Sequence, residues 1–138
     1  MGQRHRFTNG ASEVSARMRL IKGKDTKPEL LVFDILAGSG LKFEPHAKVE
    51  GVAVDALVDD RVAVFVDSPF WHLRDARTLE RLNPYWQDRL VRNRSRDRRQ
   101  TRLLRRGGYG VIRVWADEID IVRLLGTIRR TVTRRLNG

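Results

Sequence analysis

Apolar residues recur along this chain with periods that predict both helices and strands. A first helix is expected to begin around Asp25-Thr26-Lys27-Pro28-Glu29, because Thr26 and Glu29 match a capping box and Pro28 is tolerated in a first turn. The apolar residues of this helix are Leu30, Leu31, Phe33, Ile35 and Leu36. Gly38-Ser39-Gly40 is expected to end it.

Three strands are predicted next. The first covers Leu41 to Pro45. The second, Val52 to Val58, is apolar at nearly every position, as in a strand covered on both faces. Asp59-Asp60 forms a turn, and Val62 to Asp67 is the partner strand.

The second half of the chain predicts a helix, a strand and a helix after a loop at 68–82. Asn83-Pro84 begins a long helix that Gly107-Gly108 ends, Tyr109 to Trp115 alternates as a strand, and Asp117 to Leu136 forms the last helix. One face of the long helix carries Trp86, Leu90, Asn93, Asp97, Thr101 and Leu104. The order αβββαβα predicts an α/β fold, a mixed sheet flanked by helices.

Length and composition limit the classes of protein that fit. The 138 residues suit one domain, predicted at 17–138, after a polar, flexible N-terminal arm at 1–16. The net charge of +11 favours a polyanion, and nine arginines lie between Arg89 and Arg106. Nucleic acid is preferred to a membrane, because no long basic helix carries bulky apolar anchors. With no apolar stretch of about 18 residues, we expect a cytoplasmic, nucleoid-associated protein.

The absence of cysteine excludes disulfide scaffolds, iron–sulfur clusters, thiol nucleophiles and zinc sites built on thiolates. A bound metal must therefore take oxygen ligands, with at most three histidines in addition.

Asp55 and Asp67 are the first candidates for chemistry. Asp55 interrupts a strand that is otherwise buried, and a carboxylate there is costly unless it is paired. The hairpin brings Asp67 toward it, and two neighbouring carboxylates either share a proton or bind a cation such as Mg²⁺. The alternatives are a buried salt bridge for Asp55 and a turn role for Asp67.

His72 lies beside large aromatics and is suited to act as a general base, since imidazole exchanges protons near neutral pH. Asp97 lies on the inward face of the long helix, where it would orient the imidazole. The alternatives are a solvated His72 and an ion pair within the helix between Asp97 and Arg94 or Arg98. Glu29 is explained by helix capping alone.

Aromatic residues are concentrated next to the arginine-rich helix. Phe70, Trp71, Tyr85 and Trp86 lie within seventeen residues, and aromatics interleaved with arginine are suited to stack on bases while neutralising phosphates. Core packing is the alternative, but a loop is expected to leave Phe70 and Trp71 little core to enter.

Several of these motifs together resemble the very short patch repair endonucleases, a branch of the PD-(D/E)XK, restriction-endonuclease-like superfamily. The resemblance extends over about 17–118, and its segments are M-R-L-I-K-G-K-D-T-K-P-E-L, V-D-A-L-V, V-A-V-F-V-D-S-P-F-W-H, N-P-Y-W, N-R-S-R-D and G-G-Y-G-V-I-R-V-W. It implies a Mg²⁺-dependent endonuclease that nicks one strand of double-stranded DNA beside a thymine–guanine mismatch.

The resemblance also implies roles for individual residues. Asp55 and the main-chain carbonyl of Val66 would hold the metal, His72 would be the base with Asp97 as its partner, and Glu29 and Asp67 would lie near the metal. DNA contacts are expected from Lys24, Lys27, Phe70, Trp71, Trp86, Arg92, Arg94 and Arg96.

The chain departs from the family pattern at Val54, Ser68-Pro69, Leu73-Arg74-Asp75 and Trp115-Ala116-Asp117. No structural zinc is therefore expected. Two alternatives remain: a nicking endonuclease of the same fold in a defence or restriction system, and a non-catalytic DNA-binding module. Repair or defence proteins are possible partners.

Overall fold

The computed structural model describes residues 26–137, which contain three α-helices, six strands and one 3-10 helix. The helices are α1 (Lys27–Ser39), α2 (Pro84–Arg106) and α3 (Ile121–Asn137), and the 3-10 helix is Ala76–Arg81. The strands are β1 (Phe43–Pro45), β2 (Lys48–Val49), β3 (Val52–Ala53), β4 (Ala56–Val58), β5 (Val62–Asp67) and β6 (Gly110–Trp115). The predicted arm at 1–16 and Lys24 lie outside the described residues.

Four strands form one mixed sheet in the order β1, β4, β5, β6. The β1–β4 and β4–β5 pairs are antiparallel, whereas β5 and β6 are parallel and are joined through α2. Strands β2 and β3 pair separately as a short antiparallel ribbon. The predicted mixed α/β fold is confirmed.

Helices cover both faces of the sheet. On one face α1 and α3 pack over the even-numbered residues of β5, with Leu36, Ile128 and Val64 fully buried. On the other face Leu104 of α2 and the ribbon pack over Ala63 and Phe65. Because side chains alternate along a strand, Asp67 at the end of β5 faces α2.

Helix α1 begins and ends where the sequence predicts. Thr26 is its N-cap and forms the capping box with Glu29, whose Oε1 accepts from the Thr26 N–H at 3.2 Å. Gly40 caps its C-terminus in the left-handed conformation, with φ of 81°. These contacts fix the first turn of α1, and therefore Glu29, beside the sheet.

The prediction of one strand over Val52 to Val58 is wrong. β3 ends at Ala53 and β4 begins at Ala56, because the chain changes partners between them. The Val54 N–H donates to the Ala47 carbonyl, just before β2, whereas the Asp55 N–H donates to the Val64 carbonyl in β5. A continuous apolar pattern does not reveal such a change of partner. The result is that Asp55 lies at a break in the strand.

Other boundaries also differ from prediction, and the first strand begins at Phe43 instead of Leu41. The 3-10 helix Ala76–Arg81 lies inside the expected loop at 68–82, and Asp75 caps it by accepting from the Arg77 N–H. The last helix begins at Ile121 instead of Asp117, because the Asp120 side chain accepts from the Arg123 N–H at 3.0 Å and so caps that end.

Candidate active site

Asp55 lies at the break before β4 and is held by the main chain of β5. Its Oδ2 accepts a hydrogen bond of 2.6 Å from the Val66 N–H. The N–H and C=O of a strand residue leave the strand on the same side. The Val66 carbonyl therefore faces the same side of β5 as Asp55.

Two further side chains approach Asp55 from different elements. Glu29 comes from the first turn of α1, and His46 follows β1 directly opposite Asp55, to whose carbonyl its N–H donates at 2.9 Å. One ligand atom from each of Glu29, His46 and Asp55 lies within 4.8 Å of the others. We call these three residues the carboxylate–histidine cluster.

The carboxyl group of Asp55 has an unusual affinity for its proton. Burial raises the pKa of Asp55 to about 7, and the nearby Glu29 carboxylate adds to the rise, although the hydrogen bond from Val66 opposes it. Ionised Asp55 is therefore destabilised by its surroundings. A cation between Glu29 and Asp55 would remove that penalty, which is the electrostatic property expected of a metal-binding position.

A second group of polar residues surrounds His72, in the loop after β5. His72 Nδ1 is hydrogen-bonded to Asp97 Oδ2, and His72 Nε2 lies 3.6 Å from Asp67 Oδ1. The backbone N–H of His72 donates to the Ser68 carbonyl at 3.0 Å, and this hydrogen bond anchors the loop. The imidazole is thus held between two carboxylates, and Asp97 projects from the inward face of α2, as its spacing predicts.

Arg113 of β6 joins these elements together. One of its nitrogens lies 3.1 Å from both carboxylate oxygens of Asp67, and others donate to Thr101 Oγ1 at 3.0 Å and to the Asp97 carbonyl at 3.3 Å. Burial raises the pKa of Asp67, whereas His72 and Arg113 act to lower it. In the sequence Arg113 is simply one residue of an alternating strand, so only the β5–β6 register would have revealed it.

A cavity of about 370 Å³ opens beside His72 and is strongly basic. Its lining residues are Asp67, His72, Arg94, Asp97, Arg98, Thr101, Arg102, Arg105, Arg113 and Trp115. Four of the arginines come from α2 at spacings of three and four residues, which places them on one side of that helix. We call this feature the arginine cavity.

The DNA-contacting residues expected on the helices occupy several environments. Arg94 lines the arginine cavity, but Arg92 pairs with Asp88 at 2.9 Å on the helix surface, and Arg96 and Lys27 are exposed. The sequence did not distinguish Arg98, Arg102 and Arg105 as cavity residues. The i, i+4 spacing from Arg94 was the available signal.

The aromatic residues form a small core of their own. Trp71 is only 8% exposed and packs with Leu73 and Leu90, so the expectation that its loop offers little core is wrong. Phe70 and Trp86 are half-buried and contact Trp71 edge-on. Tyr85, at 62% exposure, is the outward-facing aromatic beside them.

Comparison with known proteins identifies the family of this chain. Residues 8–78, which include Glu29, His46, Asp55, Asp67 and His72, match the family model of the DNA mismatch endonuclease Vsr. The chain belongs to the Vsr family. It is therefore a DNA endonuclease.

Individual relatives are similar to this chain over most of its length. The type II nicking enzyme V.XorIIP of Xanthomonas oryzae pv. oryzae is 32% identical over 108 residues, which cover 75% of this chain and 79% of the relative. The DNA mismatch endonuclease Vsr of Escherichia coli is 30% identical over 105 residues, 73% of this chain and 67% of the relative.

Among solved structures, the catalytic domain of homing endonuclease I-Bth0305I is similar over 78% of this chain and 91% of that domain's chain, with 20% sequence identity and a TM-score of 0.49.

None of the helices within residues 26–137 is long and apolar enough to cross a membrane.

Proposed function

We propose that this Vsr-family endonuclease nicks one strand of double-stranded DNA at a thymine–guanine mismatch or a related site, and that it requires Mg²⁺. The observation that supports this most strongly is the position of two chemically distinct groups at one end of the sheet: carboxylates suited to a cation, and a His72–Asp97 pair suited to proton transfer. The mismatch is proposed from the family, whose Escherichia coli member carries that activity in its name.

The donor atoms around Asp55 fit a hard divalent cation. Carboxylates from Glu29 and Asp55, together with the Val66 carbonyl, are oxygen ligands of the kind that Mg²⁺ prefers. When bound there, Mg²⁺ would supply positive charge against a DNA phosphate and favour departure of the leaving oxygen. The side chains of the protein would provide the rest of the chemistry.

His72 is the proposed general base. When its Nδ1–H donates to Asp97, the lone pair of Nε2 remains available to take a proton from water as that water attacks phosphorus. Asp97 stabilises the imidazolium that results. Asp67 Oδ1 lies 3.6 Å from Nε2, where it would stabilise the imidazolium once Nε2 has taken that proton, and Arg113 holds Asp67 in this position.

The arginine cavity is the proposed site for neighbouring phosphates. Guanidinium groups bind phosphate oxygens with charge-assisted hydrogen bonds, and several of them on one helix can follow a DNA strand. This contribution is independent of base sequence. The aromatic side chains of Trp86 and Tyr85 would contact the bases.

A second candidate is a nicking endonuclease that serves a defence or restriction system. It is favoured by the printed names of relatives such as V.XorIIP and V.NaeI of Lentzea aerocolonigenes, which are type II nicking enzymes. This candidate uses the same residues on DNA and differs in its recognition site.

The test is a nicking assay with Mg²⁺ on supercoiled plasmid and on duplexes with and without a thymine–guanine mismatch. Asp55→Asn is expected to abolish nicking and to leave DNA binding within about twofold, because Asp55 would contact the cation and not the duplex. Asp60→Asn is the matched control, since Asp60 is an exposed acid that pairs with Lys42 at 3.4 Å. Equal nicking by Asp55→Asn and the wild type would reject the mechanism, and binding without cleavage of any duplex would favour a non-catalytic module.

A further inference from the structure

The sheet positions His46 opposite Asp55, although the proposed mechanism does not use His46. Its backbone is left-handed, with φ of 52°, and it continues the β1–β4 register so that it lies opposite Asp55. Four other non-glycine residues of the described segment, Glu50, Asp59, Asp60 and Leu73, share this conformation, so the backbone alone does not mark His46 as functional. Histidine, asparagine and glycine all tolerate such a backbone, so the turn itself does not require an imidazole.

Aromatic packing explains only part of this position. The His46 ring meets Phe33 edge-on, with ring centroids 5.4 Å apart. This ring contact does not require a ring nitrogen. The imidazole nitrogen, in contrast, brings a third donor atom to the carboxylates of Glu29 and Asp55, with all three atoms within 4.8 Å of one another.

We propose that His46 is a nitrogen ligand of the cation held by Glu29 and Asp55, and that the site therefore binds Mn²⁺ and Co²⁺ more tightly than Mg²⁺. This inference rests on the cation position given above under the proposed function. Mg²⁺ prefers oxygen ligands, whereas affinity for an imidazole rises along the first-row series from Mn²⁺ to Co²⁺ and beyond. One nitrogen ligand added to two carboxylates therefore shifts selectivity toward the transition metals without excluding Mg²⁺.

The experiment measures metal binding by the whole chain in the absence of DNA. Calorimetric titration with CoCl₂ and MgCl₂ is expected to show that His46→Asn lowers Co²⁺ affinity at least about tenfold and changes Mg²⁺ affinity by less than about threefold. Asparagine is chosen because it keeps the left-handed backbone. His46→Gly serves the same purpose if the first variant fails to fold.

A spectroscopic measurement identifies the ligand directly. Pulsed electron paramagnetic resonance of bound Mn²⁺ is expected to show ¹⁴N coupling from an imidazole in the wild type and in His72→Gln, and to lose it in His46→Asn. Coupling that survives in both His46→Asn and His46→Gly would overturn the inference. So would unchanged Co²⁺ affinity in those variants.

Failure of this inference differs from failure of the proposed function. If Asp55→Asn abolishes metal binding while His46→Asn keeps the Co²⁺ affinity and the ¹⁴N signal, the cation site at Asp55 is supported and only the role of His46 as a ligand is rejected. If Asp55→Asn binds Co²⁺ and Mg²⁺ as the wild type does, the cation is elsewhere and both proposals fail.

Discussion

Arg113 places one guanidinium nitrogen 3.1 Å from both carboxylate oxygens of Asp67, although the two residues lie on neighbouring parallel strands 46 positions apart. Asp67 is among the few buried charged residues in the described part of the chain. Another close ionisable neighbour is His72, the proposed base. The stability of the fold and the position of the base therefore depend on the same ion pair.

Replacement of Arg113 is expected to damage both properties. Arg113→Gln leaves the Asp67 charge buried without its main partner, which should lower the free energy of unfolding by about 2–4 kcal/mol. Nicking should fall with it, because the ring of His72 loses the support of Asp67. Urea unfolding and a nicking assay measure the two effects, with Arg123→Gln, at an exposed position of α3, as the control.

The double variant Arg113→Gln, Asp67→Asn tests the cause of this loss. Neutral asparagine removes the unpaired charge, so the double variant should regain more than half of the lost stability, as a coupled pair does in a double-mutant cycle. Additive losses in the two single variants would contradict the ion-pair explanation.

The raised pKa of Asp55 predicts how stability depends on pH in metal-free buffer. Folding raises this pKa from its ordinary value of 3.8 to about 7, so the folded state binds the proton more tightly than the unfolded state. The resulting stabilisation is complete below pH 3.8 and is lost as pH rises to about 7. Asp55→Asn lacks this loss, so its Tm relative to wild type should increase over that range.

Thermal melts from pH 4 to pH 8 with a chelator present measure this difference. Mg²⁺ added at pH 8 should raise the Tm of the wild type and leave that of Asp55→Asn unchanged, because the cation stabilises ionised Asp55. A Tm difference that shrinks as pH rises would mean that the pKa is not raised.

Arginines of the cavity should matter more for DNA binding than arginines elsewhere on α2. Arg98→Ala and Arg102→Ala are each expected to weaken binding several-fold and to reduce the slope of log K against log salt by about one. Arg99→Ala, an exposed residue outside the cavity lining, is the matched control. Fluorescence anisotropy at several salt concentrations gives both quantities, and equal effects at all three positions would reject a localised phosphate site.

Arg74 is expected to hold in place the loop after β5 that contains His72. It lies 2.7 Å from Asp117 and 2.8 Å from Glu118, beyond the end of β6, in a segment where the chain departs from the family pattern. These groups are exposed, so Arg74→Ala should change the free energy of unfolding only slightly. The nicking rate should fall even though stability changes little, because the loop that contains Arg74 also contains His72.

Salt provides the check on this electrostatic explanation. Screening weakens exposed ion pairs, so the difference in Tm between Arg74→Ala and wild type should shrink in 1 M NaCl. A difference that is unchanged by salt would point to packing of Arg74 against Trp115, whose ring centre lies 5.4 Å from the guanidinium.

The order of elements and one half of the site could be predicted from the sequence because they depend on local signals. Capping residues mark α1, and the helical spacing of α2 places Asp97 on the same inward face as Leu90 and Leu104, which are fully buried. That spacing is enough to bring Asp97 toward a loop that contains His72.

The other half depends on which strands become neighbours. His46 meets Asp55 only through the β1–β4 register, and Arg113 meets Asp67 only through the parallel β5–β6 pairing. Pairs of this kind are separated by tens of residues or lie on strands whose partners a hydrophobic pattern does not name. The burial of Trp71 was missed for the same reason, since Leu90 reaches it from another element.

The dimensions of α2 have a consequence for the length of DNA involved. Its 23 residues, at a rise of about 1.5 Å each, make a rod of about 35 Å, close to the ~34 Å of one turn of B-form DNA. Its nine arginines, from Arg89 to Arg106, extend over about 26 Å of that length, or about three-quarters of a turn. A duplex aligned with α2 would therefore meet all of these arginines within a single turn, so one rigid element could contact phosphates across most of that turn.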